Sequence, residues 1–234
     1  MNKAIGILGG MGPQATIDAM DKIIKNTPAH CDQEHIPVIT VSIPDIPDRT
    51  QSIINHDDKP LEKMAEYLKI LEAAQVGCII IPCNTAHFWF NQLQQRTQTK
   101  MISIIESAVH FIQDSQIAEV CILATSATIS TQLYQSQFIQ NNIHFSTPSV
   151  EMQHKVMQSI YAMHQHQSDN LDKEEKFLFQ SIENTQNLYL LLLSALIEIK
   201  KKEEEYIDLA SKKHLATKEE SNPNLKFINN KTKH

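Results

Sequence analysis

The chain has 234 residues, of which 41% are hydrophobic, and a formal net charge of −6 at pH 7. This length fits one large or two small domains, and the negative charge argues against a nucleic-acid partner, which requires a basic face. No apolar stretch is long enough to span a membrane, and the run at residues 4–8 is too short for a signal peptide. The four cysteines lack the spacing of metal ligands, so we expect no metal site and a cytoplasmic protein with reduced thiols.

Strand and helix signals alternate along the first part of the chain, a pattern that is typical of βαβ units in a parallel sheet. Strands are predicted at residues 4–8, 37–43 and 78–81. Helices are predicted at residues 15–25, 61–75 and 88–96. Gly77 follows the second of these helices and is the predicted C-terminal cap.

A second set of elements begins near residue 100. Its strands are predicted at residues 101–105, 118–124 and 143–145. Its helices are predicted at residues 108–115, 131–140 and 150–164. From residue 169 the pattern weakens, because the apolar run at 188–193 fits a strand or a helix and 200–205 is a charged run.

Two similar sets of elements predict an α/β fold of two lobes with mostly parallel sheets and an active-site cleft between them. The first lobe is predicted over residues 1–97 and the second over 98–207. Residues 208–234 are predicted to form a C-terminal helix and polar tail, with a return to the first lobe as one option. All five glycines lie at or before Gly77, so tight turns in the second lobe are expected to use Asn, Asp and Ser.

The most informative motif is a thiol directly behind a buried strand, in the sequence Pro-Cys-Asn-Thr-Ala-His at residues 82–87. Ligands of open α/β sheets bind at the carboxyl ends of the strands, where Cys83 would lie. One interpretation is therefore a catalytic thiol, and the other is a structural cysteine in a strand–helix turn. His87 could serve as a base, or it could hydrogen-bond locally.

Three further segments follow predicted strands and could bind an anion. The glycine turn at 9–13 lacks the spacing of a dinucleotide loop. It places backbone N–H groups at a helix start, where they could bind a carboxylate or a phosphate. The alternative is a tight turn that binds no ligand. Arg49 could grip a carboxylate in two places or could pair with Asp45 or Asp48. Thr125 and Thr128 could hold a carboxylate or could cap a helix.

Taken together, these segments resemble the aspartate/glutamate racemase family. The resemblance covers roughly residues 3–165 and is carried by the glycine turn with Ile7 and Leu8, by residues 47–49, 82–87 and 123–125, and by Gln153 with Ile160-Tyr161. It implies two lobes facing one cleft, racemisation without a cofactor, and Cys83 as one of two catalytic thiols. It also implies a set of substrate-binding residues, namely Met11, Gln14, Arg49, Asn84, Thr85, Thr125 and Thr128.

The chain departs from the family pattern in three places. No cysteine occurs after Cys121, so the second thiol is missing, and Ser194 is the hydroxyl nearest to its expected place. The family's Gly-Thr-Val segment reads Ala-Thr-Ile at 127–129, and His164 stands where the family often has a lysine that binds substrate. Racemisation needs two bases on opposite faces of Cα, so the missing thiol bears directly on turnover.

Three functions therefore remain open. The first is an aspartate or glutamate racemase impaired by the loss of the second thiol, and the second is a family member that binds a dicarboxylic amino acid without turnover. A variant of the second treats the C-terminal third as altered, for example by a shifted reading frame. The third is a decarboxylase or isomerase that uses one thiol. In each case the partner is a small molecule, with a homodimer as an option for the assembly.

Overall fold

The computed structural model describes residues 4–165 and residue 176, without the side chains of 163–165. Its strands are β1 (Ile5–Gly9), β2 (Val38–Ser42), β3 (Cys78–Ile80), β4 (Met101–Ile102), β5 (Glu119–Cys121) and β6 (His144–Ser146). Its α-helices are α1 (Pro13–Asn26), α2 (Arg49–Ile54), α3 (Lys59–Ala73), α4 (Phe90–Gln94), α5 (Ile104–Asp114), α6 (Ser126–Ser130), α7 (Leu133–Gln140) and α8 (Val150–Gln165). Two 3₁₀ turns lie at Asp32–Glu34 and Thr85–Trp89.

The first four strands form one parallel sheet in the order β2-β1-β3-β4. The second sheet pairs β5 with β6, again in parallel. Helices connect the strands in both sheets, as parallel pairing requires. The predicted α/β fold with mostly parallel sheets and two lobes is therefore confirmed.

The strand at 101–102 corrects the sequence analysis, which placed it in the second set of elements. It pairs with β3, Ile79 lying opposite Met101 and Ile80 opposite Ile102, and so it extends the first sheet. Its two residues are buried, because the edge of the first sheet offers apolar neighbours. The predicted boundary between the two lobes at residue 97 stays a prediction. The strand that follows this boundary, β4, is the edge of the first sheet.

Side chains of the first sheet alternate between two layers of core, which explains why its strands are continuous apolar runs. Ile5 and Ile7 of β1 face the first layer together with Ile80, whereas Leu8 and Ile79 face the second. The first layer is completed by α1, α5 and α7, and it continues into the second lobe. The second layer is completed by α3 and by the fully buried Trp89.

Several helix ends differ from the sequence-based expectation. Gln75, with φ 55°, is the left-handed residue after α3, so Gly77 is not its cap. In the described part of the second set, Asn142 is left-handed as expected, whereas Gln116 and Gln132 are left-handed where Asn, Asp or Ser was expected. The helix predicted at 131–140 corresponds to α7, and Gln132 separates it from the short helix α6. The helix predicted at 88–96 is a 3₁₀ turn followed by α4.

Some predictions fall outside the described residues. These are the elements predicted between 171 and 193, the tail at 208–234, and Ser194. Within the described part, no helix is long and apolar enough to cross a membrane.

Candidate functional site

The carboxyl ends of β1, β2 and β3 meet at one edge of the first sheet because the strands are parallel. Gly10 follows β1 with φ +93°, a conformation that favours glycine. A Cβ atom on Gly10 would lie 2.4 Å from backbone atoms of Ile43, the residue after β2. The glycine turn therefore brings the ends of β1 and β2 into direct contact. The Gly10 N–H donates to Thr16 Oγ1 at 2.9 Å, which fixes the turn to the first turns of α1.

Cys83 lies at the same edge, three residues after β3, and is partly buried. Its N–H donates to the carbonyl of Ile81 at 2.8 Å, and its side chain packs against the core layer that contains Met11. Of the other free cysteines in the described part, Cys78 is buried, and Cys31 and Cys121 are exposed. Cys83 is thus the thiol at the carboxyl end of the buried sheet.

His87 holds the loop that carries Cys83. Its Nδ1 lies 2.8 Å from the Cys83 carbonyl, and its Nε2 lies 3.1 Å from the backbone nitrogen of Ile104. Nε2 must accept from that N–H, so Nδ1 carries the ring proton and donates to the Cys83 carbonyl. Burial lowers the pKa of His87 to about 4, so the ring is neutral at physiological pH. His87 therefore hydrogen-bonds locally, which was the second of its two interpretations.

Three threonine hydroxyls join the two lobes. Thr85 Oγ1 lies 3.0 Å from Thr125 Oγ1 and 3.3 Å from Thr128 Oγ1, and the last two atoms are 2.9 Å apart. Thr125 also caps α6 by accepting from the Thr128 N–H at 3.2 Å. Thr128 is fully buried, so it supports the other two hydroxyls. The structure thus brings together the polar residues that follow β3 and β5.

Two residues that the sequence analysis did not place at the site also contact it. The buried Tyr134 hydroxyl on α7 donates to Asn84 Oδ1, again from one lobe to the other. Gln153 on α8 donates from Nε2 to the Ala124 carbonyl at 2.9 Å and so supports the loop before Thr125. Nothing local to Tyr134 signals this contact, because Asn84 lies 50 positions away in the sequence.

Arg49 begins α2, which packs against both α6 and the turn at Thr85–Trp89. One terminal nitrogen donates to the carbonyls of Ile46 and Pro47, each at 3.3 Å, and Nε is buried without a partner. Among the described residues no carboxylate pairs with Arg49. Asp45 instead contacts Lys63 and the Tyr67 hydroxyl, and Asp48 caps α2 at the Gln51 N–H. The predicted surface pairing with Asp45 or Asp48 is therefore wrong.

The remaining predicted site residues differ in how far the structure places them. Met11 is buried in the glycine turn. Gln14 is exposed in the first turn of α1, and within the described part no hydrogen bond joins it to another predicted site residue. His164 belongs to α8, but its side chain lies outside the described atoms. No cluster of His, Cys, Asp or Glu in the described part could hold a metal ion.

The geometry combines a thiol with donors that suit a carboxylate. An amide, the Thr125 hydroxyl with the two buried hydroxyls that support it, and a guanidinium whose buried Nε has no partner in the described part of the chain adjoin the loop of Cys83. Two open grooves, of 380 and 560 Å³, lie instead along α3 and are lined mainly by charged side chains. They contain none of the predicted site residues, so the strand ends remain the candidate site.

A family model described as Asp/Glu/Hydantoin racemase matches residues 8–187. The chain is 32% identical over 137 residues to the broad specificity amino-acid racemase RacX of Bacillus subtilis (strain 168). It is 43% identical over 74 residues to a protein of Pectobacterium carotovorum subsp. carotovorum described as an uncharacterized protein in the pnlA 3′ region. These matches cover 56% and 32% of this chain and 58% and 49% of the relatives, so the chain spans about half the length of the curated relatives it matches.

The fold is also similar to a solved structure, that of Picrophilus torridus aspartate racemase. The TM-score is 0.65 at 29% sequence identity. The similarity covers 79% of this chain and 75% of that chain.

Proposed function

Because the chain belongs to the Asp/Glu/hydantoin racemase family, we propose that it is a cofactor-independent amino-acid racemase that acts on aspartate or glutamate. The observation that carries the proposal is the contact of Thr85 with Thr125 and Thr128. Thr85 lies two residues after Cys83 in the chain. This contact gathers donors from both lobes beside one thiol. Donors at strand ends and helix starts suit a carboxylate, and a thiol in the same place suits a proton transfer.

In the proposed reaction the Cys83 thiolate takes the α-proton, and the electron pair of the broken C–H bond passes to Cα and the adjoining carboxylate. A second group then returns a proton to the opposite face of Cα, which inverts the centre. Cys83 afterwards releases its proton to solvent and the second group regains one from solvent, so both groups are restored. The carboxylate gains negative charge in this step, so fixed donors around it lower the barrier. Arg49, Asn84 and Thr125 are the donors we assign to the two carboxylates of the substrate, with Met11, Gln14 and His164 as further contacts.

A second candidate function follows from one observation, the absence of any cysteine after Cys121. With one thiol and no second base, the enzyme would remove the α-proton and return it to the same face. Such a protein exchanges the α-proton with solvent but produces little of the opposite enantiomer. His164 and Ser194 are the residues we would test first as a replacement for the second thiol.

Incubation of the full chain with L-aspartate, and separately with L-glutamate, in deuterated water tests both candidates. Deuterium at Cα is read by mass spectrometry and the D-enantiomer by chiral chromatography. We expect deuterium at Cα with at most slow formation of the D-amino acid, because the second thiol is missing, and we expect Cys83→Ser to lose this activity and Cys121→Ser to keep it. Deuterium without the D-enantiomer supports the second candidate over the first. Absence of exchange with either amino acid contradicts both and leaves a binding protein, which calorimetric titration with the same amino acids would detect.

A further inference from the structure

Tyr134 is a residue of the second lobe whose polar atom reaches the loop of the catalytic thiol. Its ring is 4% exposed and packs against Phe138, with ring centroids 5.8 Å apart, and Phe138 in turn contacts Phe145 of β6 at 5.9 Å. The hydroxyl of Tyr134 extends beyond these three packed rings and donates to Asn84 Oδ1. The ring is therefore fixed by the core of the second lobe, and its oxygen determines where an acceptor of the first lobe lies.

This hydrogen bond selects which end of the Asn84 amide remains for a ligand. A side-chain amide offers a carbonyl oxygen, which accepts, and an NH₂ group, which donates. A protonated phenol can donate or accept, and here the Tyr134 hydroxyl donates to the carbonyl oxygen of Asn84. Burial raises the pKa of Tyr134 far above physiological pH, so the hydroxyl keeps its proton. The NH₂ group is then the end of Asn84 that Tyr134 does not engage, on a residue that stands between Cys83 and Thr85 in the chain.

The choice matters for a substrate with two carboxylates. An NH₂ group attracts a carboxylate, whereas an amide oxygen turned toward it would repel it. We propose that Tyr134 is a positioning residue, which holds the Asn84 amide with its NH₂ group available to a carboxylate of the substrate. This inference rests on the proposed function, because it assumes that a dicarboxylic amino acid binds beside Cys83.

A double-mutant cycle tests the inference on the full chain with the deuterium-exchange assay. Tyr134→Phe removes one oxygen and keeps the ring packed against Phe138. We expect KM for L-aspartate to rise about 5- to 20-fold, in line with the loss of one positioned donor. In an Asn84→Ala background the same substitution should change KM less than about 2-fold, because coupled residues are not additive.

Tyr67→Phe is the matched control. It also deletes a tyrosine hydroxyl that contacts a side chain, Asp45, but it lies on α3 outside the candidate site. We expect its KM to match that of the wild type. Asn84→Asp adds a second readout, because it keeps an acceptor for Tyr134 but replaces the NH₂ group by a charged oxygen. We expect it to weaken L-aspartate binding more than Tyr134→Phe does.

The outcomes separate the two proposals. If the wild type neither exchanges nor binds aspartate or glutamate, the proposed function fails, and this inference fails with it. If the wild type is active but Tyr134→Phe raises KM equally in both backgrounds, only the inference about Tyr134 is overturned. A loss of folding in Tyr134→Phe would show as altered far-UV circular dichroism. The wild type then decides by NMR, where a Tyr134 hydroxyl proton that is protected from exchange with solvent and loses this protection in Asn84→Ala supports the contact, and an unprotected proton contradicts it.

Discussion

The first sheet has four strands, whereas the second, in the part of the chain that the structure describes, has two. β1 and β3 are buried along their whole length, but β5 exposes Glu119 and Cys121 and leaves only Val120 partly buried. The loop after β3 is held by the hydrogen bond between His87 and the Cys83 carbonyl and by Tyr134 from the other lobe. The loop after β5 is held by Gln153 and by the cap at Thr125.

Under the proposed function, this difference indicates that the first lobe supplies the thiol and the second lobe supplies hydroxyls for binding. The thiol lies where the backbone is fixed by buried neighbours, while the second lobe supplies hydroxyls that depend on a contact with Thr85. Groups that must be placed accurately for a proton transfer gain most from such a rigid surrounding. Substitutions in the first lobe should therefore affect chemistry, and equivalent ones in the second lobe should affect it less.

The sharpest test of this comparison is to substitute two cysteines separately, Cys83 after β3 and Cys121 at the end of β5. Cys83→Ser should reduce α-proton exchange by about 10²- to 10⁴-fold, since a serine hydroxyl is a far weaker base than a thiolate. Cys121→Ser should leave the exchange rate unchanged, because Cys121 is exposed on the second sheet. An equal loss in both variants would remove the distinction between the lobes.

The next effect concerns acid stability of the loop after β3. Burial lowers the pKa of His87 from its ordinary value of 6.5 to about 4 in the folded chain, so the unfolded chain binds its proton first as the pH falls. The neutral ring contributes full stability above pH 6.5, and that contribution is lost as the pH falls toward 4. Urea unfolding should show a free energy of unfolding that drops by ~3 kcal/mol over this range because of His87.

The control is His110→Gln, since His110 is an exposed histidine of α5. It should keep the acid-dependent loss, whereas His87→Asn should be less stable at pH 7 and show a flatter decline toward pH 4. A wild type whose stability is constant from pH 7 to pH 4 would mean that His87 is not held neutral in the folded chain.

The third effect in size concerns Arg49, which lies between the lobes because α2 contacts both the turn at Thr85–Trp89 and α6. Arg49→Lys keeps the charge but loses the planar fork, so L-aspartate binding should weaken by about 1–3 kcal/mol in calorimetric titrations. Arg96→Lys is the matched control, since Arg96 forms a two-point contact with Glu62 on the surface. Equal aspartate affinity in wild type and Arg49→Lys would exclude Arg49 from the site.

The smallest effect tests the absence of glycine from the second lobe. Gln132 is left-handed between α6 and α7, a conformation that costs an L-residue roughly 1 kcal/mol. Gln132→Gly should therefore stabilise the chain, by at most about 1 kcal/mol. Gln137→Gly, inside α7, should destabilise it by about 0.5–1 kcal/mol. Chemical unfolding measures both, and the same sign for both would contradict the assignment of strain to Gln132.

The fold of the first lobe could be predicted because its signals are local. Continuous apolar runs mark β1 and β3, and a glycine turn marks the junction with α1, where Gly10 cannot carry a Cβ. The edge strand β4 was misplaced because two residues carry no pattern that distinguishes one sheet from the other. The left-handed glutamines were missed because the sequence preference for Asn and Gly at such positions is only statistical.

The candidate site could be predicted in part, for a related reason. Polar residues at the ends of parallel strands are expected to converge, and Thr85 does contact Thr125 and Thr128. Their role in substrate binding stays a prediction, as does that of Cys83. The contact of Tyr134 with Asn84 could not be predicted, because it depends on how α7 packs and not on any local pattern.

One layer of the core has a consequence for how the chain folds and moves. Ile5, Ile7 and Ile80 of the first sheet share a continuous set of contacts with Ile122 and Phe138 of the second lobe. A cut at residue 97 would remove part of the cover from one apolar face of β1 and β3. Rotation of one lobe against the other would break this shared packing, so we expect the two lobes to unfold together and not one after the other.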